Sequence, residues 1–355
     1  MKVFSFLFEP AEYTLDLVEH IYRPRGVAWG FLRHTSSASN RLDAGPVCLE
    51  GWPFYTKAKY MCNVLRNNDI IVMNGYATSE FLILFALNLY FRKPLAIESD
   101  TQLRVPVQWT KRIIKWIYLS VIFRNPRVSG WAGGNFSHKE LFSHYGMCSG
   151  RIHLMPMMID VSRYLRAIPD FCGSTSPFRI IYLGRLVKVK GLDLLLQAFL
   201  RLAQEDKEVE LHIVGGGALE SKLRRRVDGE RRVHFHGSLF GDEKTRVLWQ
   251  CQVLVLPSKS ESWGLVVNEA MAAGVPVIVS DAVGACTDLV GESGSGLIFP
   301  SGDEDALLGC MREMISNTAK YQERAVKAQQ YMEKIWNYDL YGRCFDQAVA
   351  HAANL

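Results

Sequence analysis

Five apolar runs recur through the second half of the chain, each about strand length and rich in β-branched residues: Arg179–Leu183, Glu210–Val214, Val233–His236, Val253–Pro257 and Val275–Ser280. Helix-like segments separate them, at Leu192–Ala203, Gly217–Arg226, Glu243–Cys251 and Gly264–Ala273. Strand–helix alternation at this spacing dictates a parallel sheet with helices on both faces. Such a sheet binds ligands at the carboxyl ends of its strands. The first half repeats the pattern less regularly, with strands expected at Lys2–Phe8, Gly26–Leu32, Ile70–Met73 and Leu95–Glu98. There, Ser137-His138-Lys139-Glu140 reads as a capping box opening a helix that stops at Gly146.

At 355 residues the chain is long enough for two domains. The small, polar stretch Asp170–Pro177 is the linker candidate. The expected division is a domain over 1–168, a second over 177–335, and a final helix over 336–355 returning to the first. The expected fold class is α/β, two domains with parallel sheets facing each other across a cleft.

Apolar residues at 48% and charged residues at 22% describe an ordinary globular protein. The formal charge of +5 suits an acidic ligand or an anionic membrane surface, and no nucleic-acid-binding signature accompanies it. The cysteines are scattered without C-x-x-C spacing, as expected of buried thiols in a reducing compartment. The run from Met1 to Glu9 is too short for a signal-peptide core. The longest apolar stretch, Phe81–Phe91, falls short of a membrane span and contains Asn88. The expected location is the cytoplasm.

The segment PSKSESWGLVVNEAMAAGVPVIVSD, starting at Pro257, carries the strongest chemical signal. A strand ends in a serine-rich loop, Ser262 is the expected N-cap, and a helix runs to the glycine stop at Gly274. Ala270, Ala272 and Ala273 let that helix lie close on the sheet. The free amides of Gly264, Leu265 and Val266 suit a phosphate. Glu261 and Glu269 bracket the helix start, and carboxylates accept hydrogen bonds from the paired hydroxyls of sugars; a solvated loop acid and a helix-face acid are the competing assignment. In Gly184-Arg185-Leu186, a strand ends on a glycine that permits close approach. Arg185 and Lys190 could then clamp a diphosphate, or stand as two surface cations near a turn. The glycine turn at Gly215 would admit a nucleotide near the backbone, on weaker grounds.

Other signals carry less. Asp303-Glu304-Asp305 has the look of a metal-binding D-x-D, but it reads better as the acidic opening of a helix. His234 and His236 share a strand face without an evident third metal ligand. Arg224, Arg225, Arg226, Arg231 and Arg232 read as a solvated helix end and turn. Trp109–Tyr118, continuing to Arg127, mixes cations and aromatics at helical spacing. Such a helix either rests on an anionic membrane or is half-buried in the first domain.

From about Phe178 to Asp305, the chain resembles the retaining glycosyltransferases of family 4, which have the GT-B architecture. The resemblance rests on Gly184-Arg185-Leu186, Lys190-Gly191, Ala198, Gly215 and the Glu261–Glu269 pair, with Gly296–Pro300 matching a short turn. It implies that Arg185 and Lys190 hold and stabilise the donor diphosphate. Glu261 would contact hydroxyls of the transferred sugar, Glu269 the ribose, and the amides near Gly264 and Leu265 the phosphates. It implies a UDP- or GDP-sugar donor, no cofactor and no metal. The acceptor would be a saccharide or lipid-linked saccharide in polysaccharide or glycolipid synthesis, and lipid-linked acceptors favour peripheral membrane contact. The N-terminal half departs from the family: Phe8–Glu12 lacks the usual glycine-rich loop, and Pro156–Asp160 keeps only the ends of a familiar turn. Where the family often has a histidine, the chain has Ile97–Thr101, so Glu98 or Asp100 takes the acceptor side, or both are turn acids. A nucleotide-sugar 2-epimerase and a non-catalytic nucleotide-sugar-binding partner are the alternative functions.

Overall fold

A computed structural model of the chain describes residues 1–34, 46–136, 138–168 and 177–354. Ser137 of the expected capping box and most of the expected linker (170–176) lie outside the described residues. The chain divides into two compact units: unit 1 is Met1–Met158 with Tyr338–Leu355, and unit 2 is Ile159–Asn337.

Unit 1 holds strands β1 (Val3–Leu7), β2 (Ala28–Phe31), β3 (Ile70–Asn74), β4 (Leu95–Ser99), β5 (Val128–Ala132) and β6 (Ile152–Leu154). They form one parallel sheet in the order β2-β1-β3-β4-β5-β6. Its helices are α1 (Glu12–Leu17), α2 (Phe54–Asn67), α3 (Ser79–Phe91), α4 (Trp109–Phe123) and α5 (Lys139–His144). Every residue of β1, β4 and β5 is buried, because helices cover both faces. Apolar runs therefore mark these strands better than alternation does. The sequence reading missed β5, whose Ser129-Gly130 breaks the apolar run. A Cβ on Gly130 would stand 2.6 Å from a Phe142 ring carbon, so glycine is there to let α5 close onto the sheet. The apolar stretch of α3 is capped by Thr78, which accepts from Phe81 N at 3.1 Å, and ends where Asn88 exchanges hydrogen bonds with the Lys93 backbone.

Unit 2 holds β7 (Phe178–Leu183), β8 (Val209–Val214), β9 (Val233–Gly237), β10 (Val253–Leu256), β11 (Val277–Ser280) and β12 (Gly296–Phe299). They form a second parallel sheet in the order β12-β11-β10-β7-β8-β9. Helices α6 (Leu192–Glu205), α7 (Glu220–Arg226), α8 (Gly241–Gln250), α9 (Leu265–Ala272), α10 (Glu304–Ser316) and α11 (Thr318–Lys334) belong to it. Gly296–Pro300, expected as a turn, instead supplies edge strand β12, in register with Val277–Ser280. A Cβ at Gly296 would lie 2.3 Å from Val277 O, which is why the strand begins with glycine.

The domain boundaries shift. Residues 159–168 belong to unit 2 rather than to the first domain, because Arg166 Nε donates to Ala273 O at 3.0 Å and Trp249 Nε1 to Tyr164 O at 3.0 Å. The last helix, α12 (Tyr338–Ala352), belongs to unit 1. Its Phe345 packs against Tyr22 and Trp131, and Asp346 pairs with Arg25. Asp303 caps α10, accepting from Ala306 N at 2.9 Å, while Glu304 and Asp305 pair with Arg201. The acidic triplet is thus a helix opening. Among the described residues the cysteines form no disulfide, and Cys251 alone is buried, fewer than composition suggested.

Candidate functional site

The strand order of unit 2 reverses between β7 and β10, and the loops leaving these two strands flank that switch point. An open parallel sheet binds ligands there. The loop after β7 carries Gly184, Arg185 and, in a 3-10 turn, Lys190; the loop after β10 carries Ser258 and Glu261. The two loops dock directly, with Lys259 N donating to Val189 O at 2.7 Å. Gly191 is required at this junction: its φ is +71°, and a Cβ would sit 2.0 Å from Pro257 O. Docking brings Lys190 Nζ onto Glu261 Oε2 as an ion pair, and Ser258 Oγ donates to the same oxygen at 3.3 Å. Two residues read separately from the sequence thus form one charged pair. Arg185 is exposed, and its guanidinium has no ion-pair partner among the described residues.

Gly215 belongs to the same edge in a different way. Its amide donates to Gly237 O at 2.7 Å, and a Cβ would meet Gly184 O at 1.9 Å. The close approach is of one glycine turn to another, which packs the loops after β7 and β8 together.

The N-cap of α9 is Gly264, with φ +99°, and not Ser262. A left-handed N-cap suits glycine, and neighbouring Trp263 is fixed by burial, by its hydrogen bond to Asn268 Oδ1 at 2.8 Å and by stacking on Trp336. Ala270, Ala272 and Ala273 are wholly buried, so the helix lies close on the sheet. The amides of Gly264, Leu265 and Val266 meet no acceptor among the described residues; Val267 N already bonds Gly264 O at 2.8 Å. Such free donors, aligned with the helix dipole, are suited to an anion.

One turn further on, Glu269 is buried. Lys244 Nζ of α8 donates to its Oε1 at 2.8 Å, while Oε2 is buried without a hydrogen-bond partner. An unsatisfied buried carboxylate oxygen costs stability unless a ligand hydroxyl completes it. Lys244 also sits 5.7 Å over the Tyr164 ring. The sequence reading missed both residues: neither belongs to a motif, and each arrives from a distant segment.

In unit 1 the strand order reverses between β1 and β3. A pocket opens there, lined by Phe8, Asn74, Glu98, Asp100, Met157 and Tyr341 among others. Glu98 is the penultimate residue of β4, and its Oε1 accepts from Tyr341 Oη at 2.9 Å, whereas Oε2 is buried and unpartnered. Burial pushes this carboxyl up to about 7, although the hydrogen bonds of Tyr341 and Asn74 pull it down. Tyr22 and Ser5 complete a buried polar cluster, their oxygens 3.1 Å apart. Tyr341, in the last helix, carried no signal in the sequence.

Residues 173–332 match the family model described as "Glycosyl transferases group 1". A GDP-mannose-dependent monoacylated alpha-(1-6)-phosphatidylinositol monomannoside mannosyltransferase of Corynebacterium glutamicum is 28% identical over 204 residues, covering 53% of each chain. A D-inositol 3-phosphate glycosyltransferase of Paenarthrobacter aurescens is 32% identical over 190 residues, covering 47% of this chain and 45% of that protein. The chain thus spans about half the length of these curated relatives. Among solved structures, HepE of Anabaena in complex with UDP superposes with a TM-score of 0.79 at 20% identity, covering 99% of this chain and 100% of that one. WaaG, a glycosyltransferase involved in lipopolysaccharide biosynthesis, gives 0.68 at 15% identity, covering 98% and 99%. The fold is GT-B, built of two Rossmann-like units.

Proposed function

We propose that a C-terminal unit matching the group 1 glycosyl transferases serves, in this chain, a retaining transfer of sugar from a UDP- or GDP-sugar to a saccharide or lipid-linked saccharide. The observation that carries the reading lies wholly within unit 2. The Lys190–Glu261 pair, the free amides opening α9 and the unpartnered oxygen of Glu269 occupy the loops and helix at one switch point. HepE, with which the chain shares its fold, was solved with UDP and with UDP-glucose.

In this reading Glu269 accepts from the ribose hydroxyls, and the Leu265 and Val266 amides take the phosphates. Arg185 and Lys190 balance charge on the departing diphosphate as the bond from the anomeric carbon to phosphate oxygen breaks. These two cations supply the stabilisation that a metal would otherwise give, so transfer is proposed to be metal-independent. Glu261 holds hydroxyls of the sugar while its ring becomes oxocarbenium-like. Retention rests on the resemblance of the Glu261–Glu269 block to the retaining family. The acceptor is assigned to the unit 1 pocket, where Glu98 and Asp100 would meet its hydroxyls.

A peripheral site at the inner face of a membrane is part of the proposal. Trp109, Ile113, Ile114, Trp116, Ile117 and Val121 of α4 are exposed, with Lys111 and Arg112 among them. This is an apolar face with cations at its edge, suited to an anionic bilayer. No described helix is long and apolar enough to cross a membrane.

A thermal-shift panel of UDP, GDP, ADP and their sugar conjugates tests the donor site, because a ligand of the folded state raises the melting temperature. A rise with one nucleotide family identifies the base. No rise with any sinks the reading, and a rise without transfer to any acceptor points to the non-catalytic partner.

A further inference from the structure

His234 and His236 share a strand face, and the sheet brings the missing partners to them. Strands β8 and β9 are parallel, with His212 in register with His234. Glu210, two residues before His212, points from the same face. Glu210 Oε2 lies 3.3 Å from His212 Nε2, and Oε1 lies 3.8 Å from His234 Nε2. One ligand atom from each residue falls within 4.8 Å of the others. The two separations, one to each oxygen of Glu210, lie on either side of the edge of about 3.4 Å that a zinc ion roughly 2.1 Å from each of three tetrahedral ligands sets.

The second ring nitrogen of His212, Nδ1, is 2.9 Å from His236 Nε2. That contact fixes the ring and leaves Nε2 facing Glu210, as an outer partner does for a metal-bound histidine. Arg179 Nε donates to Glu210 Oε2 at 3.1 Å, which orients the carboxylate and leaves Oε1 toward His234. The decisive atom is His234 Nε2, which is buried and has no hydrogen-bond partner. The rest of that side chain is 39% exposed, leaving room for water as a further ligand.

We propose that Glu210, His212 and His234 bind a divalent transition-metal ion of the zinc class that ties the edge strand β9 to β8, with His236 and Arg179 holding the first two ligands in place. Two imidazoles and a carboxylate suit Zn²⁺, Co²⁺, Ni²⁺ or Cu²⁺ rather than Mg²⁺ or Ca²⁺. The site stands apart from the donor site. Glu210 is the second residue of β8 whereas Gly215 follows its end, a separation of about 16 Å at roughly 3.3 Å per residue. The ion is therefore structural and takes no part in transfer.

The test uses the full-length protein, stripped with a chelator and dialysed, then titrated with ZnCl₂ against a chromophoric zinc chelator. The same titration with CoCl₂ reads the visible bands of low-symmetry Co²⁺. One equivalent should bind and raise the melting temperature. His234→Ala should weaken zinc affinity at least tenfold, with the far-ultraviolet circular dichroism unchanged. His212→Gln should do the same, guarding against a local fault in one variant. His34→Ala, in the second cluster of His34, Cys48 and Glu50, should leave that affinity unchanged. No saturable equivalent in the wild type, or full affinity in both β8–β9 variants, overturns the proposal.

Discussion

Among the described residues, two buried carboxylates, Glu269 and Glu98, each keep one oxygen occupied and one oxygen waiting. Glu269 gives Oε1 to Lys244 and holds Oε2 buried and open. If a ribose completes it, Glu269→Ala should weaken donor affinity by roughly tenfold, the worth of about 1–1.5 kcal/mol of hydrogen bonding. Calorimetric titration with the donor nucleotide measures this. Glu261→Gln should instead lower kcat by at least tenfold while nucleotide affinity stays within a few-fold; equal small effects on both would remove the assigned roles. Glu98 differs, because its burial shows as a displaced titration. Its folded-state value of about 7 exceeds the ordinary 4.5, so the folded protein keeps a proton that the unfolded chain releases. Its contribution to stability is therefore full below about pH 4.5 and is lost as the pH rises to about 7. Glu98→Gln should remove that slope and leave the variant more stable than the wild type at pH 8, by roughly 2–4 kcal/mol. Chemical denaturation across pH 4–8 checks it, and an unchanged slope would refute the assignment.

At the scale of elements, the proposed donor site depends on two loops touching. Gly191→Ala puts a methyl group onto Pro257 O and strains a left-handed residue. It should cost roughly 1–3 kcal/mol in stability and weaken donor binding by undocking Lys190 from Glu261. Helix α4 offers a second test. Replacing Ile114 and Ile117 with serine removes exposed apolar surface without opening the core, where Leu119, Ile122 and Phe123 are buried. Binding to anionic vesicles should fall at least tenfold, and what remains should weaken further with added salt. Elements also show what was legible beforehand. Strands β7, β8, β10 and β11 read clearly because strands buried on both faces give nearly continuous apolar runs. Strands β5 and β12 did not: a glycine demanded by the Phe142 ring interrupts the first, and the second is four residues long and opens on a glycine demanded by Val277 O. The motif residues of the proposed donor site were legible because one strand–loop–helix segment holds most of them. Lys244, Tyr164 and Tyr341 were not, since only tertiary folding brings them in. The same holds for Glu210 and His212, which strand pairing alone sets beside His234.

At the scale of the whole molecule, unit 1 is built from both ends of the chain, whereas unit 2 is one uninterrupted stretch. Ending the chain at Asn337 deletes Tyr341 and Phe345, which lie against Glu98, Tyr22 and Trp131. The truncated protein should lose the unit 1 melting transition while its nucleotide-induced shift in unit 2 persists. Loss of both together would show that the units melt as one. The arrangement also orders events during synthesis. Domains ordinarily fold amino-terminal first, at roughly 5–20 residues per second of translation. Here the first 158 residues cannot be completed until the ribosome has made all of unit 2 and then the last helix. At that speed, the 179 residues of Ile159–Asn337 impose a wait of roughly 9–36 seconds. During it, the unfinished unit shows nascent-chain chaperones the surface that Phe345 will cover, and the later-made half is free to finish first.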